Sequence, residues 1–365
     1  MRVASRALRL ARDWKSRQRG APAPSGAIFH KDLRRVTRLL IYAPSHDAIA
    51  AEIAARAPGL DILALDDAGV ITLRGEPLAT EDVRADIAWL DQGLFQSKAT
   101  GAFLRAMFAS PDLTWVQSAA AGFDNPLFKS IVAKGVRLST SHGQAVGMAD
   151  YVLWGVLDAF QNGLDRRADQ LAHVWKPRPF REINGSHWLI VGFGAIGQAV
   201  ATRARGFGAV ITAVRRDQSP HPLADRIAAQ SDLPALAPEA DVVVLSLPLS
   251  LATRHLADAA FFTAMKLGSV LVNVGRGGLV DETALLAALD SGTPAHAVLD
   301  VFETEPLPAD SPLWDHPQVR LTPHSSGMTG AQNGRNATLF LDNLRRFVAG
   351  QPLLNLADPK DVLAE

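Results

Sequence analysis

The chain has 365 residues, enough for two domains at about 150 residues per domain. Its 37 lysines and arginines equal its 37 aspartates and glutamates, so there is no overall positive charge to attract nucleic acid or an anionic membrane. It has no cysteine, which excludes disulfides, thiolate metal sites and cysteine nucleophiles, and no apolar run approaches the ~18 residues of a membrane span. We therefore predict a cytoplasmic protein with a small-molecule partner and no nucleic-acid, membrane or metal partner.

Residues 1–35 form a basic extension that we expect to lie outside the folded core. Seven of the first twenty residues are basic, Asp13 is their single acid, and a flexible stretch rich in proline and alanine follows. Such an acid-poor composition is typical of an organellar targeting peptide. An upstream extension, a mis-chosen start codon or a loosely attached surface helix would have the same composition.

Strands and helices alternate from residue 37 onward, which predicts a parallel sheet with right-handed crossovers. We assign residues 36–145 to a first, smaller domain that binds the substrate and is completed by residues 326–365, including a helix over 331–348. A long helix over about 146–172 leads into the second domain. The predicted strands of the first domain cover residues 38–42, 61–64, 87–90 and 113–117.

A glycine-rich turn between a buried strand and a helix is the strongest functional motif. The apolar strand 188–191 is followed by G-x-G-x-x-G and by a helical pattern over 198–207. Its glycines suit a tight turn, a close approach to a pyrophosphate and close helix packing, and the helix N-terminus favours phosphate. The motif predicts dinucleotide binding, with a purely structural turn as the alternative. The predicted cofactor residues here are Gly192, Phe193, Gly194, Ala195, Ile196 and Gly197.

Residues 146–325 form the predicted dinucleotide-binding domain. Its later strands are apolar throughout, as expected of a parallel sheet covered on both faces. The predicted fold is therefore α/β, with two Rossmann-like doubly wound parallel-sheet domains and a cleft between them.

Two arginines favour NADPH over NADH. The strand after the glycine turn ends at Val214 and is followed by Arg215 and Arg216, where an NAD-binding protein usually has an acidic residue for the ribose. Two guanidinium groups would instead bind a 2′-phosphate. The alternative is that both arginines are solvated and Asp217 binds the ribose of NAD.

Polar residues follow three further strands of this domain. Arg276 lies in a glycine-rich turn, Asp300 is followed by Glu303 and Glu305, and His324 follows a proline. Taken singly, an arginine is more often in a surface ion pair and a histidine more often structural. Ligands bind beyond the carboxyl ends of parallel strands, so the set together predicts a catalytic site.

These motifs resemble the D-isomer-specific 2-hydroxyacid dehydrogenase family over about residues 38–363, closest to its NADPH-dependent glyoxylate/hydroxypyruvate reductases. The resemblance rests on the glycine turn, Leu247-Pro248 and the segments 272–281, 299–308, 311–314 and 321–324. It implies that Arg276 binds the substrate carboxylate and polarises the carbonyl, that His324 is the acid/base, and that Glu305 is its partner.

The same resemblance implies further contacts. Asp300 would hold the nicotinamide carboxamide, with Leu247, Pro248 and Val274 also at the cofactor. Leu90 and Gly93 would join Arg276 and His324 in binding substrate. A homodimer built through the nucleotide domains is expected.

The implied reaction is reversible hydride transfer from NADPH, with NADH possible, to a small 2-oxo acid. The segment 89–96 lacks basic residues, which disfavours phosphorylated substrates, and its Trp89 and Phe95 would cap a small substrate or stack on an aromatic one. Glyoxylate and hydroxypyruvate are therefore favoured over phenylpyruvate. The alternative from another class is an NAD(P)-sensing scaffold of the same fold without turnover, which only the basic extension favours.

Overall fold

A computed structural model describes residues 36–122 and 125–363 of the chain. The chain divides into two compact units. Unit 1 contains the described residues up to Gly143 and those from Asn333 onward, and unit 2 contains residues 144–332. The predicted basic extension, residues 1–35, lies outside the described residues. In the described part of the chain, no helix has the length and apolar character required to cross a membrane.

Unit 1 is built on a seven-stranded sheet with the order β4-β3-β2-β1-β5-β6-β7. The strands are β1 Arg38–Tyr42, β2 Asp61–Leu65, β3 Ile71–Leu73, β4 Glu76–Leu78, β5 Ile87–Leu90, β6 Trp115–Ser118 and β7 Arg137–Ser139. Helices of this first segment are α1 Ala43–Asp47, α2 Ala50–Arg56, α3 Gln92–Gln96, α4 Thr100–Ala109 and α5 Pro126–Ala133.

The predicted parallel pairing is confirmed for β1, β2, β5, β6 and β7 and is wrong at one edge. There β3 pairs antiparallel with both β2 and β4. The turn between β3 and β4 consists of Arg74 and Gly75, which both have positive φ angles (55° and 87°). Two central residues of this kind make the tight turn that joins antiparallel strands.

Unit 2 is built on a second seven-stranded sheet, with the order β10-β9-β8-β11-β12-β13-β14 and parallel pairs throughout. The strands are β8 His187–Val191, β9 Val210–Val214, β10 Arg226–Ala228, β11 Val242–Leu245, β12 Val270–Asn273, β13 His296–Leu299 and β14 Val319–Leu321. Its α-helices are α6 Ala145–Phe160, α7 Gly163–Leu171, α8 Ala195–Gly206, α9 Leu233–Leu236, α10 Ala259–Ala264 and α11 Glu282–Ser291. Apolar clusters cover both faces of this sheet.

The single long helix predicted over 146–172 is two helices. Asn162 separates α6 from α7 with a left-handed backbone (φ 54°, ψ 47°), a conformation that asparagine tolerates better than most residues. Asn162 also donates from Nδ2 to the Pro179 carbonyl at 3.1 Å. The chain therefore turns at Asn162 instead of continuing the helix.

The chain returns to unit 1 with α12 Gln332–Val348 and α13 Pro359–Leu363. Phe340 of α12 stacks on Trp89 of β5 with ring centroids 4.3 Å apart, and Trp115 of β6 lies at 6.2 Å from the same ring. Trp89 is only 4% exposed. The expectation that Trp89 caps a substrate is therefore wrong, because its ring belongs to the core beneath α12.

In both sheets the strand order reverses beside the first strand. The reversal lies between β1 and β5 in unit 1 and between β8 and β11 in unit 2. In open α/β sheets, ligands bind in the crevice outside the carboxyl ends of the strands at such a switch point. The residues that directly follow β8 and β11 are therefore the first candidates for a ligand site in unit 2.

Candidate active site

The glycine turn lies at the switch point of unit 2. Gly192 has a φ of 94°, and a Cβ there would lie 2.7 Å from the carbonyl carbon of Ser246, just after β11. A Cβ on Gly197 would lie 2.3 Å from the Gly192 carbonyl oxygen. A Cβ on Gly194 would meet nothing within 4 Å. The outer two glycines therefore allow the chain to pack, whereas the middle one keeps the approach to the helix N-terminus open.

The rest of the turn presents backbone to this opening. Ala195 and Ile196 are the first two residues of α8, so their N–H groups point out of its N-terminus. Phe193 is buried, and its ring meets His221 edge-on with centroids 5.1 Å apart. A helix of twelve residues that begins at an open glycine is suited to a pyrophosphate.

Arg215 and Arg216 directly follow β9, and Arg215 pairs with Asp217. The Asp217 carboxylate also accepts hydrogen bonds from Ser219 N at 2.9 Å and Ser219 Oγ at 2.8 Å. These bonds from Ser219, together with the charge of Arg215, hold the pKa of Asp217 below its ordinary value. Asp217 is therefore an ionised carboxylate that already has three donors.

Leu247, Pro248 and Val274 line the ends of β11 and β12. Leu247 lies against Gly192, since a Cβ added to Gly192 would be 2.8 Å from the Leu247 Cβ. The Pro248 carbonyl accepts a hydrogen bond from Thr253 Oγ1 at 2.9 Å. Val274 is buried and donates its N–H to the Leu245 carbonyl at 3.1 Å. A packing contact, a side-chain hydrogen bond and a backbone hydrogen bond thus hold the three positions.

Arg276 lies in a turn that the fully buried Asn273 organises. Asn273 Nδ2 donates to the Arg276 carbonyl at 2.9 Å, and its Oδ1 accepts from Gly275 N at 3.1 Å. On the far side of the turn, a Cβ on Gly277 would lie 1.8 Å from the carbonyl carbon of Phe302. The turn that carries Arg276 thus packs directly on the loop that follows β13.

That loop carries Glu305, which contacts His324. His324 Nδ1 lies 2.8 Å from Glu305 Oε2, and Glu305 Oε1 accepts from Phe302 N at 3.1 Å. The two side chains are 52% and 37% exposed. Because an ionised carboxylate only accepts hydrogen bonds, Nδ1 carries the proton in this contact. The second ring nitrogen, Nε2, then faces away from Glu305.

Asp300 holds the segment that carries His324. Its buried carboxylate, 1% exposed, accepts from Thr322 Oγ1 at 2.7 Å, Ser325 N at 2.8 Å and Ser326 N at 3.0 Å, and also bonds Ser326 Oγ. Its carbonyl accepts from His324 N at 2.8 Å. These bonds hold His324 in a left-handed conformation with a φ of 49°. A contact from Asp300 to the nicotinamide stays a prediction.

Three residues at the loop after β13 form contacts that the sequence did not predict. His255 Nε2 lies 2.6 Å from Glu303 Oε1, and Glu303 N donates to Glu282 Oε1 at 2.7 Å. Burial raises the pKa of Glu282. No short motif marks such a set, because its members come from three separate segments.

The predicted substrate residues of unit 1 lie at its own switch point. Leu90 ends β5 with a fully buried side chain, so only its backbone is available to a ligand. Gly93 is in the first turn of α3, whose N-cap Asp91 accepts from Leu94 N at 3.0 Å. Burial raises the pKa of Asp91. Phe95 is partly exposed, unlike Trp89.

Arg276, Glu305 and His324 follow the neighbouring strands β12, β13 and β14 of one sheet. The arrangement provides a cation, a carboxylate and an imidazole beside a site suited to a dinucleotide. Such a set can bind an anion, stabilise negative charge on an oxygen and transfer a proton.

Comparisons with known proteins agree with this chemistry. The family model "D-isomer specific 2-hydroxyacid dehydrogenase, NAD binding domain" matches residues 153–326. An (S)-sulfolactate dehydrogenase of Chromohalobacter salexigens is 36% identical over 244 residues, 65% of this chain and 78% of that protein. A glyoxylate/hydroxypyruvate reductase B of Citrobacter koseri is 36% identical over 284 residues, 74% of this chain and 85% of that protein.

A solved structure is similar over most of the chain. It is a D-isomer specific 2-hydroxyacid dehydrogenase from Xanthobacter autotrophicus Py2 in complex with NADPH and MES. It matches with a TM-score of 0.71 at 29% identity, and the match covers 90% of this chain and 100% of that one.

Proposed function

We propose that this chain, which belongs to the D-isomer-specific 2-hydroxyacid dehydrogenase family and is an NAD(P)-dependent oxidoreductase, reduces glyoxylate or hydroxypyruvate with NADPH to the corresponding 2-hydroxy acid, which for hydroxypyruvate is the D enantiomer. The observation that carries the proposal is the contact of 2.8 Å between His324 and Glu305, next to the turn that holds Arg276. The printed name of the Citrobacter koseri relative supports the substrate class.

The residues at the switch point fit a nicotinamide dinucleotide. The opening at Gly194 and the N-terminus of α8 would hold its pyrophosphate, with Leu247, Pro248 and Val274 beside the rest of the cofactor. When bound, the nicotinamide supplies a hydride from its C4 atom. Hydride transfer puts negative charge on the carbonyl oxygen of the substrate, which the protein has to stabilise and protonate.

The side chains have separate roles in this step. The Arg276 guanidinium pairs with the substrate carboxylate and stabilises the developing negative charge on the carbonyl oxygen. His324 donates the proton from Nε2, because its Nδ1 is bonded to Glu305. Glu305 fixes the ring orientation and stabilises the imidazolium.

The preference for NADPH follows from Arg215 and Arg216. A 2′-phosphate carries more negative charge than the Asp217 carboxylate that now pairs with Arg215, so it competes well for that guanidinium. NADH offers ribose hydroxyls instead, and the Asp217 carboxylate already accepts hydrogen bonds from Ser219 and pairs with Arg215. Both observations support NADPH as the better cofactor.

The preference for an uncharged substrate tail rests on unit 1. Residues 87–97, which include β5 and α3, contain no lysine or arginine, while Asp91 lies at their centre. A phosphate or sulfonate on the substrate would find no cation in this segment. The (S)-sulfolactate relative makes sulfonated substrates the most informative competitors to test.

A steady-state assay at 340 nm tests the proposal. NADPH and NADH are each combined with glyoxylate, hydroxypyruvate, phenylpyruvate and sulfopyruvate, and the oxidation of (S)-sulfolactate is measured in the reverse direction. We expect kcat/KM to be highest for NADPH with glyoxylate or hydroxypyruvate. A higher kcat/KM for sulfopyruvate would overturn the substrate, and a preference for NADH would overturn the role of the arginines. Tight NADPH binding without turnover of any of these acids would contradict the proposed reaction.

We also propose a homodimer. The end of α7 and the segment that follows it expose Leu171, Val174, Trp175 and Phe180, and Trp175 is 99% exposed. A run of exposed apolar residues of this kind is typical of a protein interface. Light scattering should give twice the chain mass for the wild type and the chain mass for Trp175→Asp. A monomeric wild type at micromolar concentration would contradict the dimer.

We also propose that the protein is located in the cytoplasm. The absence of cysteine is consistent with a reducing compartment. Fractionation of the source cells should recover the full chain with cytoplasmic marker enzymes, and recovery in an organelle or envelope fraction would contradict this location.

A further inference from the structure

Three hydrogen bonds hold the loop after β13, and two of them reach segments outside the proposed acid/base pair. Phe302 N bonds Glu305, and Glu303 N bonds Glu282 at the start of α11. The third contact joins the Glu303 side chain to His255 Nε2 at 2.6 Å. The proposed reaction gives His255 and Glu303 no role.

His255 is also hydrogen-bonded to the turn that carries Arg276. Its backbone N–H donates to the Gly278 carbonyl at 2.8 Å, and its own φ is 49°. Gly277 packs on Phe302 so closely that a Cβ would lie 1.8 Å from the Phe302 carbonyl carbon. His255 therefore touches both the Arg276 turn, through its backbone, and the loop beside that turn, through its side chain.

We propose that His255 is a positioning residue that acts through Glu303 to fix Glu305 and His324 relative to Arg276. The inference rests on the proposed reduction of a 2-oxo acid, in which Arg276 holds the substrate while His324 protonates it. The two groups follow different strands, β12 and β14, which β13 separates in the sheet, so contacts between the loops help to set the distance between them. The His255–Glu303 bond connects the loop after β13 to His255, whose backbone N–H is bonded to the turn that carries Arg276.

The charges suit a positioning role. The His255 and Glu303 side chains are 35% and 34% exposed, so removing one does not leave a buried, unpaired charge. Neither residue is part of the apolar clusters of unit 2. The backbone bond from Glu303 N to Glu282 does not involve His255, so we expect it to remain when His255 is changed. We therefore expect a variant at His255 to fold normally, but the loop after β13 should be more mobile in it.

The experiment compares His255→Ala with His255→Gln, whose amide is a neutral donor that can restore the bond to Glu303. With NADPH and the best 2-oxo acid, we expect kcat of His255→Ala to fall about 10-fold with KM changed less than 2-fold, since a small misplacement of reacting groups acts mainly on the chemical step. His255→Gln should recover most of kcat. Fluorescence titration should give an unchanged Kd for NADPH. His187→Gln is the matched control. His187 has an exposed side chain at the start of β8, the end away from the glycine turn, so this variant should behave as the wild type.

A double-mutant cycle identifies the partner. If His255 acts through Glu303, His255→Ala combined with Glu303→Ala should cost no more kcat than the worse single variant. Additive losses would overturn the coupling. An unchanged kcat in His255→Ala, with an active wild type, would overturn the positioning role.

Amide hydrogen exchange tests the same inference without turnover. Peptides that cover residues 276–279 and 302–305 should exchange faster in His255→Ala than in the wild type and in His255→Gln. Equal exchange in all three proteins would overturn the inference. An inactive wild type that shows the expected exchange pattern would instead contradict the proposed reaction and leave the loop coupling supported.

Discussion

At the scale of single residues, the proposed chemistry depends on which nitrogen of His324 is free. Glu305 occupies Nδ1 at 2.8 Å, so Nε2 is the nitrogen that can face a substrate oxygen. His324→Ala should lower kcat/KM for the 2-oxo acid by about 10²- to 10⁴-fold, the usual contribution of a positioned acid or base. Glu305→Gln keeps the size of the partner and removes its charge, so we expect a smaller loss.

The control for this pair is cofactor binding. Neither substitution touches the glycine turn, so the fluorescence of bound NADPH should give the same Kd in both variants as in the wild type. A parallel loss of NADPH affinity would mean that the rate effects report a damaged cofactor site. Equal kcat/KM in His324→Ala and the wild type would contradict the assignment of the acid.

The second prediction at this scale concerns Asp217. It pairs with Arg215 and would compete with the 2′-phosphate of NADPH for that guanidinium. Asp217→Asn removes the negative charge and should lower the KM for NADPH roughly 2- to 5-fold, the size of an exposed ion-pair effect. The KM for NADH should change less. Glu239→Gln, which alters another exposed acid of unit 2 paired with an arginine, is the control. A selective loss of NADH use in Asp217→Asn would instead place the ribose of NAD on Asp217.

At the scale of elements, the glycine turn offers a matched pair of substitutions. A Cβ on Gly194 meets no protein atom within 4 Å, so Gly194→Ala should leave Tm unchanged and block the approach of the pyrophosphate. Gly192→Ala needs a φ of 94° and brings its Cβ to 2.7 Å from the Ser246 carbonyl. It should cost roughly 1–3 kcal/mol of unfolding free energy as well as cofactor affinity.

Thermal melts and NADPH titrations distinguish the two variants. Gly194→Ala should show a normal melt with weak NADPH binding, and Gly192→Ala should show a lower Tm with weak binding. Normal NADPH affinity in Gly194→Ala would contradict the location of the pyrophosphate. A lower Tm in Gly194→Ala would mean that Gly194 also has a packing role that its surroundings do not explain.

The elements that the sequence predicted well are those with strong local signals. The strand 188–191, the glycine turn and the strands before Arg276 and His324 are continuous apolar runs that end in polar or glycine residues, and each was found within a residue or two. The β3–β4 hairpin was missed because its strands have three residues each, too few for a periodic pattern. The break at Asn162 was missed because asparagine only occasionally ends a helix.

Most side-chain partners depend on packing between distant segments, and apart from the Glu305–His324 pair, which the family resemblance implied, they were not predicted. Trp89 was expected at a ligand, but Phe340 of α12 covers its ring. The contact of Asp300 with the cofactor stays a prediction, and the sequence did not predict the bonds that its carboxylate accepts from Ser325 N and Ser326 N, which anchor the His324 segment. The residue types at the strand ends were therefore predictable, whereas the bonds that Asp300 and Asn273 make around them were not.

At the scale of the whole molecule, stability should fall in mild acid because of one histidine in unit 2. His296 begins β13 beside Arg320, whose Nη1 lies 3.3 Å from His296 Nδ1. Burial, and then the charge of Arg320, lower the pKa of His296 from 6.5 to about 4. Asp158 of α6 accepts a hydrogen bond from Arg320 Nε at 2.5 Å, which helps to hold that guanidinium in place.

The sign of the effect follows from these pKa values. Between pH 6.5 and about 4, the unfolded chain binds a proton at His296 that the folded chain does not. The contribution of neutral His296 to stability is therefore complete above pH 6.5 and is lost progressively as the pH falls toward 4. His142 of unit 1 has a pKa that burial also lowers, so it adds a smaller loss of the same sign.

Thermal melts of the wild type, His296→Gln and His187→Gln between pH 7.5 and 4.5 test this assignment. The drop in Tm across that range should be smaller in His296→Gln than in the wild type by about 2–3 °C, since a glutamine binds no proton in either state. His187 is exposed in the folded chain, so His187→Gln should keep the wild-type drop. Parallel Tm curves for all three proteins would show that the acid sensitivity of the fold arises elsewhere, in His142 or in the carboxylates.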